Sequence, residues 1–293
     1  MSDSATATAP APSAATGAEA GQTDLQGPSA VGGDRIRFWQ LLWITSRTEF
    51  RLRYHGSVLG WAWSLLHPLL LFGVIYLFFT QVLRFGGTVE FYNSLLLLNI
   101  MLFGFFSEAT NQSVTALVSR ERMLRTTEFP RIVIPVSGAL TSMFALVFGL
   151  PVSFLFMLLN GVDPMWTWLL TPVIVGLLFA VTLAFSLVLS TLYVTVRDIA
   201  PIWAVTARAL FYATPVVYVI DRVPESFRDF VYANPLAPIL TQVRHWLIDP
   251  NAPSAWEAGG SLGFLPAIGV LMVLVALGTY LFTTRASRIA EML

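Results

Sequence analysis

Between Ser57 and Arg84 the chain carries no Asp, Glu, Lys or Arg. A segment of that length exceeds the roughly 20 apolar residues that carry a helix across the hydrocarbon core of a bilayer. His67-Pro68 falls one or two turns inside it, where a proline removes a backbone donor and a kink is tolerated. Arg51, Arg53 and their aromatic neighbours stand immediately before the run, so the stretch Arg51 to Pro68 reads as the point where the chain enters a membrane. Composition agrees: 56% of residues are hydrophobic and only 12% charged, about half the charged share of a soluble domain.

Five further apolar runs follow the first, Val58–Leu83. They are Phe91–Val118, interrupted by Glu108 and Asn111; Ile132–Leu159; Trp166–Val196; Pro201–Ile220, which carries Arg208; and Leu262–Thr284. The expected fold is an all-α integral membrane protein with six transmembrane helices over 58–293. The fourth run is long enough to tilt or to include an interfacial turn. Residues 1–33 are Ala, Ser, Thr, Gly and Pro with scattered acids, which cannot bury enough apolar surface to offset ordering, so a disordered tail is expected. Residues 34–57 read as an amphipathic helix: Trp39, Leu42, Trp43, Ser46, Phe50 and Tyr54 recur at helical spacing with Arg47 and Arg51 elsewhere. That pattern suits the headgroup region, so an interface helix is expected there; a short surface helix packed on protein is the other reading.

Arginine placement orients the spans. With the N-terminus inside, Arg35, Arg37, Arg47, Arg51, Arg53, Arg120, Arg122, Arg125, Arg131, Arg197, Arg285 and Arg288 face the cytoplasm. Arg84, Arg222, Arg228 and Arg244 fall outside, and Arg208 lies within a span. The asymmetry follows the positive-inside rule and puts both termini in the cytoplasm of a multi-pass inner or plasma membrane protein.

Two connections are more than turns. Residues 119–131 are dense in charge, with Met123, Leu124 and Phe129 as apolar knobs. They read either as a short helix closed by Phe129-Pro130 that meets a cytosolic partner, or as a solvated loop. Residues 221–261 form a connection too long to lack structure of its own. It contains two helix-like pieces, 223–232 and 234–247, each with Pro near its start.

Chemistry has few footholds. There is no cysteine and, all basic residues being arginine, no lysine. Disulfides, thiolate nucleophiles, sulfur-bound metals, Schiff bases and the P-loop lysine are excluded. The three histidines, His55, His67 and His245, form no metal-binding spacing, and no serine hydrolase signature occurs. If an ATP-driven process is served, another chain binds the nucleotide. Glu108 is the suspect group inside a span: it could line a polar conduit, pair with Arg208, or sit near the interface. Phe72, Tyr76, Phe79, Phe103, Phe106, Tyr212 and Tyr218 offer flat apolar platforms for sugar rings, or simply packing surface.

Four stretches in order resemble a known family. They are Arg53-Tyr54-x-x-Ser57-x-Leu59-Gly60-x-x-Trp63 running to Pro68; Leu124 to Pro135; Val196-Arg-Asp-Ile199 with Thr214-Pro-Val-Val-Tyr218; and Asn234-Pro-Leu-Ala-Pro-Ile239. Together, over about residues 35–290, they resemble the transmembrane permease subunits of ABC type-2 exporters of lipid-linked polysaccharides and polyol phosphates, the O-antigen, teichoic acid, capsule and galactan permeases. The resemblance implies a homodimer, each copy bound to a separate ATPase subunit that holds ATP and Mg, with no cofactor and no enzyme chemistry on this chain. It implies an ATPase-coupling helix built from Glu121, Arg122, Leu124, Arg125, Glu128, Phe129 and Pro130. It implies substrate entrance and channel residues Arg53, Tyr54, Trp61, Trp63, Phe72, Tyr76, Glu108, Tyr212 and Tyr218, with the conduit lined mainly by the first and fifth spans. Phe227, Tyr232 and Trp246 would belong to two external gate helices. The implied partners are a second copy, the ATPase, a lipid-linked polysaccharide and membrane lipids, with no nucleic acid. Two alternatives stay open: a permease for a drug or small lipid, and a membrane glycosyl- or acyltransferase.

Overall fold

A computed structural model describes residues 35–53, 55–56, 59–60, 62–82, 89–121, 130–259 and 262–292. The 1–33 tail, Tyr54, Trp61, Arg122, Leu124, Arg125, Glu128 and Phe129 lie outside these residues. Among the described residues every regular element is helical. The first is α1 (Arg35–Arg53), followed by α2 (Ala62–Leu77), which ends in one π turn, Phe78–Val82. Next come α3 (Tyr92–Ser119), α4 (Val133–Leu159) and α5 (Thr171–Thr195), the last preceded by a 3-10 turn over Trp166–Leu170. The chain continues through α6 (Ile199–Ala213), α7 (Glu225–Tyr232), α8 (Leu236–Leu247), α9 (Ala255–Ala258) and α10 (Leu265–Met292). Five stretches are long and apolar enough to cross a membrane: Ala62–Thr80, Tyr92–Ser119, Val133–Leu159, Trp166–Thr195 and Leu265–Thr284.

Helix α3 is the axis of the bundle. Its most apolar stretch is 78% buried, whereas that of α2 is 0% buried. The sequence explains the difference. From Leu95 to Phe106 α3 is apolar on nearly every side, the signature of a helix surrounded by others. It packs against α4, α5, α2 and α6. Helix α10 docks on α5 where Gly278 has no side chain: a Cβ there would stand 3.2 Å from Leu187 Cβ and 3.5 Å from the Ala184 carbonyl. Close backbone approach through small residues is the usual way apolar helices gain packing without a hydrophobic drive.

Helix α1 rests on α4. Leu42, Ser46 and Phe50 are buried, and the Phe50 ring meets Phe144 and Phe148. Trp39, Trp43, Ile44 and Leu52 remain exposed on the other faces. One apolar side is therefore spent on protein, and another is left open among the described residues.

The fifth apolar run departs from expectation. A helix over 201–220 is foreseen, but α6 stops at Ala213 and is only 15 residues long, about 22 Å at 1.5 Å per residue. Pro215 is the cause, because it brings no N–H to a continuing helix. Thr214 ends α6 with its hydroxyl on the Leu210 carbonyl, 2.6 Å away. Beyond it Val216, Val217 and Val219 run buried and non-helical, up to a 3-10 turn over Ile220–Arg222. Their backbone is served by α3: Asn99 Nδ2 donates to the Pro215 carbonyl at 3.2 Å, and the Tyr92 hydroxyl donates to the Val217 carbonyl at 2.8 Å. Non-helical backbone beside a membrane bundle needs such internal partners.

The 221–261 connection folds, as its length requires, into short helices. Asn234 organises it: its Oδ1 accepts from the Leu236 N–H at 3.0 Å to start α8, and its Nδ2 donates to Thr214 Oγ1 at 2.6 Å. The apolar face of α8, with Leu236, Leu240, Val243 and Leu247, joins the same core as α3. Thr167 and Trp168, before α5, donate to the last carbonyls of α8, those of Trp246 and Leu247. Arg244 ties α8 to Asp221 at 2.6 Å and reaches Asp249 at 3.7 Å. A capping box, Ser254 with Glu257, starts α9 and holds the exposed Glu257 carboxyl below the usual carboxylate range. Beside it Gly263 takes φ +57°, with Trp256 only 2.9 Å from where a Cβ would sit.

Candidate functional site

A groove of about 520 Å³ lies between α2 and α6, with α3 as its floor and α4 along one side. From α2 come Trp63, Ser64, His67, Pro68 and Leu71; from α3, residues between Ile100 and Glu108; from α4, Ser142 to Gly149; from α6, Ala207, Arg208 and Phe211. Each wall has a local cause. Pro68, which supplies no N–H to the Ser64 carbonyl, lies on the groove side of α2 together with Ser64 and His67. Gly104 lacks a side chain where the floor is widest, and no atom lies within 4 Å of a Cβ placed there. Gly149 lets Met101 Sδ approach to 3.3 Å of such a Cβ, which brings α3 and α4 together.

Helix α6 is pinned at both ends and open between them. Trp203 is buried among Phe106 and Phe185 and its Nε1 donates to Thr110 Oγ1 at 3.2 Å. At the far end the 214–219 segment is held by Asn99 and Tyr92. Only Trp203 and Ala207 of α6 are buried, so most of this helix, like α2, is left uncovered among the described residues. Two uncovered apolar helices flanking a groove make one continuous lateral face.

Charge is arranged asymmetrically. Arg53, the last residue of α1, donates one guanidinium nitrogen to Glu108 Oε1 and another to Gln112 Oε1. Gln112 Nε2 in turn donates to Glu108 Oε1 at 3.2 Å. A second cluster lies farther along the same helices, where Arg120 pairs with Glu49 at 2.6 Å and donates to Ser137 Oγ at 3.2 Å. Thr141 Oγ1 stands 2.8 Å from the Ser137 carbonyl it donates to, one turn on in α4. These clusters join α1 to α3 and α4 at two levels. Arg208, by contrast, faces the groove with no ion pair or hydrogen bond among the described residues.

The structure thus places the expected residues unequally. Trp63 and Glu108 line the groove, and Arg53 closes on Glu108 from behind. Glu108 has its partner in Arg53 rather than in Arg208. Phe72 stacks on Tyr76 and meets Phe156 edge-on, so that pair faces α4 away from the groove. Tyr212 is exposed beside Phe211, and the Tyr218 hydroxyl donates to the Ala213 carbonyl at 3.1 Å; neither lines the groove. Of the coupling residues, Glu121 and Pro130 are described, at the two edges of the connection. Phe227 is exposed on α7, Trp246 is half-buried, and Tyr232 is buried against Ile220, Ala237 and Ala258. Burial pushes the Tyr232 hydroxyl up to about 12.

Sequence reasoning did not single out Ser107, Ser142, Gly149 or Phe211 for the groove, because nothing but the rotation of each helix turns them inward. In the sequence His67-Pro68 reads as a kink, His67 as one of three histidines without metal spacing, and Pro68 as the end of the entry motif, none of which points to the groove. Among the described residues no group of three His, Asp or Glu could hold a metal ion.

Comparison with known proteins supplies the family context. A family model described as ABC-2 type transporter matches residues 40–248. The chain is 27% identical over 257 residues to an O-antigen export system permease protein RfbA of Klebsiella pneumoniae, covering 87% of this chain and 95% of that one. It is 29% identical over 245 residues to an RfbA of the same description from Myxococcus xanthus, covering 83% and 91%.

Proposed function

The chain belongs to the ABC-2 type transporter family, and on that premise we propose that it is the permease subunit of an ATP-driven exporter of lipid-linked polysaccharide. It is a multi-pass membrane transport subunit; the finer reading concerns cargo, assembly and direction. Two copies meet through the uncovered faces of α2 and α6, and each copy receives a separate ATPase subunit at the 119–131 connection. Six spans then cross the membrane, α6 with its 214–219 extension serving as the fifth, and both termini lie in the cytoplasm. Helices α7 and α8 cap the external end.

The observation that carries the reading is the groove between α2 and α6. It opens sideways, it mixes Trp63 and Phe211 with serine hydroxyls and charge, and its volume suits a headgroup with its first sugars rather than a whole polymer. The relatives described as O-antigen export permeases, matched over most of their length, support the cargo class. The test is depletion of this permease in its own cell, followed by assay of lipid-linked glycan. Accumulation on the cytoplasmic leaflet with loss from the cell surface is expected. Unchanged surface glycan, with an altered profile of exported drugs or small lipids instead, would overturn the cargo.

A further inference from the structure

Among the described residues, the Glu and Arg side chains of the groove are accounted for with one exception. Glu108 is neutralised from behind by Arg53, and Gln112 completes that pair. Arg208 has no such counterpart among the described residues. It sits nine residues into α6 from Ile199, about 13 Å along the axis, and projects from a helix otherwise composed of apolar and small residues. A guanidinium within an apolar span is costly unless something of opposite charge or a water-filled cavity receives it. The cavity is present. Its other polar lining is made of Ser64, Ser107 and Ser142, whose hydroxyls can donate hydrogen bonds, and the His67 imidazole on α2. The groove therefore offers one guanidinium without an ion-pair partner among the described residues, with three hydroxyls and the His67 imidazole around it, to whatever enters from the side.

We propose that Arg208 is the anion-binding group of this groove and receives the phosphate of a lipid headgroup. The planar guanidinium can give two parallel N–H bonds to phosphate oxygens. Trp63 and Phe211 flank the same space and suit the apolar chain next to that headgroup. This proposal rests on the lipid-linked cargo reading above, and it adds that the phosphate nearest the lipid, rather than the sugar, is gripped inside the permease. Phosphate on a lipid has two sources, the transported carrier and the phospholipids of the bilayer.

The experiment uses the full-length chain in phosphatidylcholine nanodiscs and radiolabelled farnesyl diphosphate, with farnesol, inorganic pyrophosphate and added phosphatidylglycerol as competitors. Binding of farnesyl diphosphate at least tenfold tighter than farnesol is expected, with the preference lost in Arg208→Gln and largely kept in Arg208→Lys. Weak competition by phosphatidylglycerol assigns the site to the diphosphate carrier, and strong competition assigns it to bilayer lipid. Equal binding by wild type and Arg208→Gln would overturn the proposal, since Arg208 is then merely solvated. Full competition by inorganic pyrophosphate would overturn its lipid part. Dissociation of a dimer by both substitutions, with binding unaltered, would also overturn it by giving Arg208 a partner in the second copy. Because binding is read on isolated permease, normal export with no Arg208 effect removes this site and leaves the export reading standing.

Discussion

Arg53, at the end of α1, holds Glu108, a residue 55 positions later in the middle of the central helix. The pair keeps a carboxylate at the groove without leaving its charge open to the groove. Replacing Arg53 by Ala should therefore cost about 1–2 kcal/mol, the range between an exposed ion pair and a charged hydrogen bond. Glu108→Gln should cost less, because the amide oxygen still accepts from Arg53. Thermal melting of the purified single and double variants checks this. Additive losses would show that the two residues do not act on one another.

Asn99 should be the more sensitive position. Its amide serves backbone carbonyls that Pro215 has excluded from helix α6. Asn99→Leu keeps the volume and removes the donor, and is expected to destabilise by about 1–3 kcal/mol. Hydrogen exchange should accelerate over 216–220 while α3 itself stays protected. Uniform acceleration across the bundle would contradict a local latch.

At Gly278 the tolerance should depend steeply on size. Alanine requires Leu187 to give by a few tenths of an ångström, whereas leucine must push α10 off α5 at a cost of about 1–3 kcal/mol or more. Comparing melting temperatures of Gly278→Ala and Gly278→Leu in one detergent reads the difference.

The Glu49–Arg120 pair ties α1 to the last turn of α3, directly before the proposed coupling connection. Arg120→Ala, or Arg125→Ala combined with Phe129→Ala within that connection, should leave insertion in the membrane intact and lower the export obtained per ATP hydrolysed. The assay is surface glycan against ATPase rate in reconstituted vesicles. Unchanged coupling in both variants would remove this region from the transmission path.

Tyr232 provides a pH signature. Its hydroxyl titrates at about 12 in the folded chain, above the value near 10 of an unfolded tyrosine. Folding thus favours the neutral form. The associated stability is complete below pH 10 and is lost as pH rises through 12. Tyr232→Phe should flatten the alkaline fall in melting temperature and change nothing at neutral pH.

Most of the helical framework was legible beforehand, for a simple reason. Lipid offers no hydrogen bonds, so a crossing segment must be a long apolar helix, and a long apolar helix is visible as a run of residues. The starts of α1, α3 and α4 fall within a residue of the expected ones. Pro215 was equally visible, but the run Pro201–Ile220 outweighed it, since buried non-helical backbone is as apolar as a helix. Pro215 stops α6, and what lets the chain run on buried without a helix is the presence of Asn99 and Tyr92 on another helix to donate to the freed carbonyls.

By itself, then, the sequence determined that this chain is built of long apolar helices suited to a membrane, and roughly where they run. These follow from composition and local order, which act within single segments. Tertiary structure decided which faces meet. Phe72 and Tyr76 turn to Phe156, Glu108 turns to Arg53, and Arg208 is left facing the groove. The physical reason is that every span here is apolar on several sides. Its hydropathy cannot select a rotation, and the choice falls to packing contacts such as Gly149 on Met101 and to the few polar side chains that must find partners.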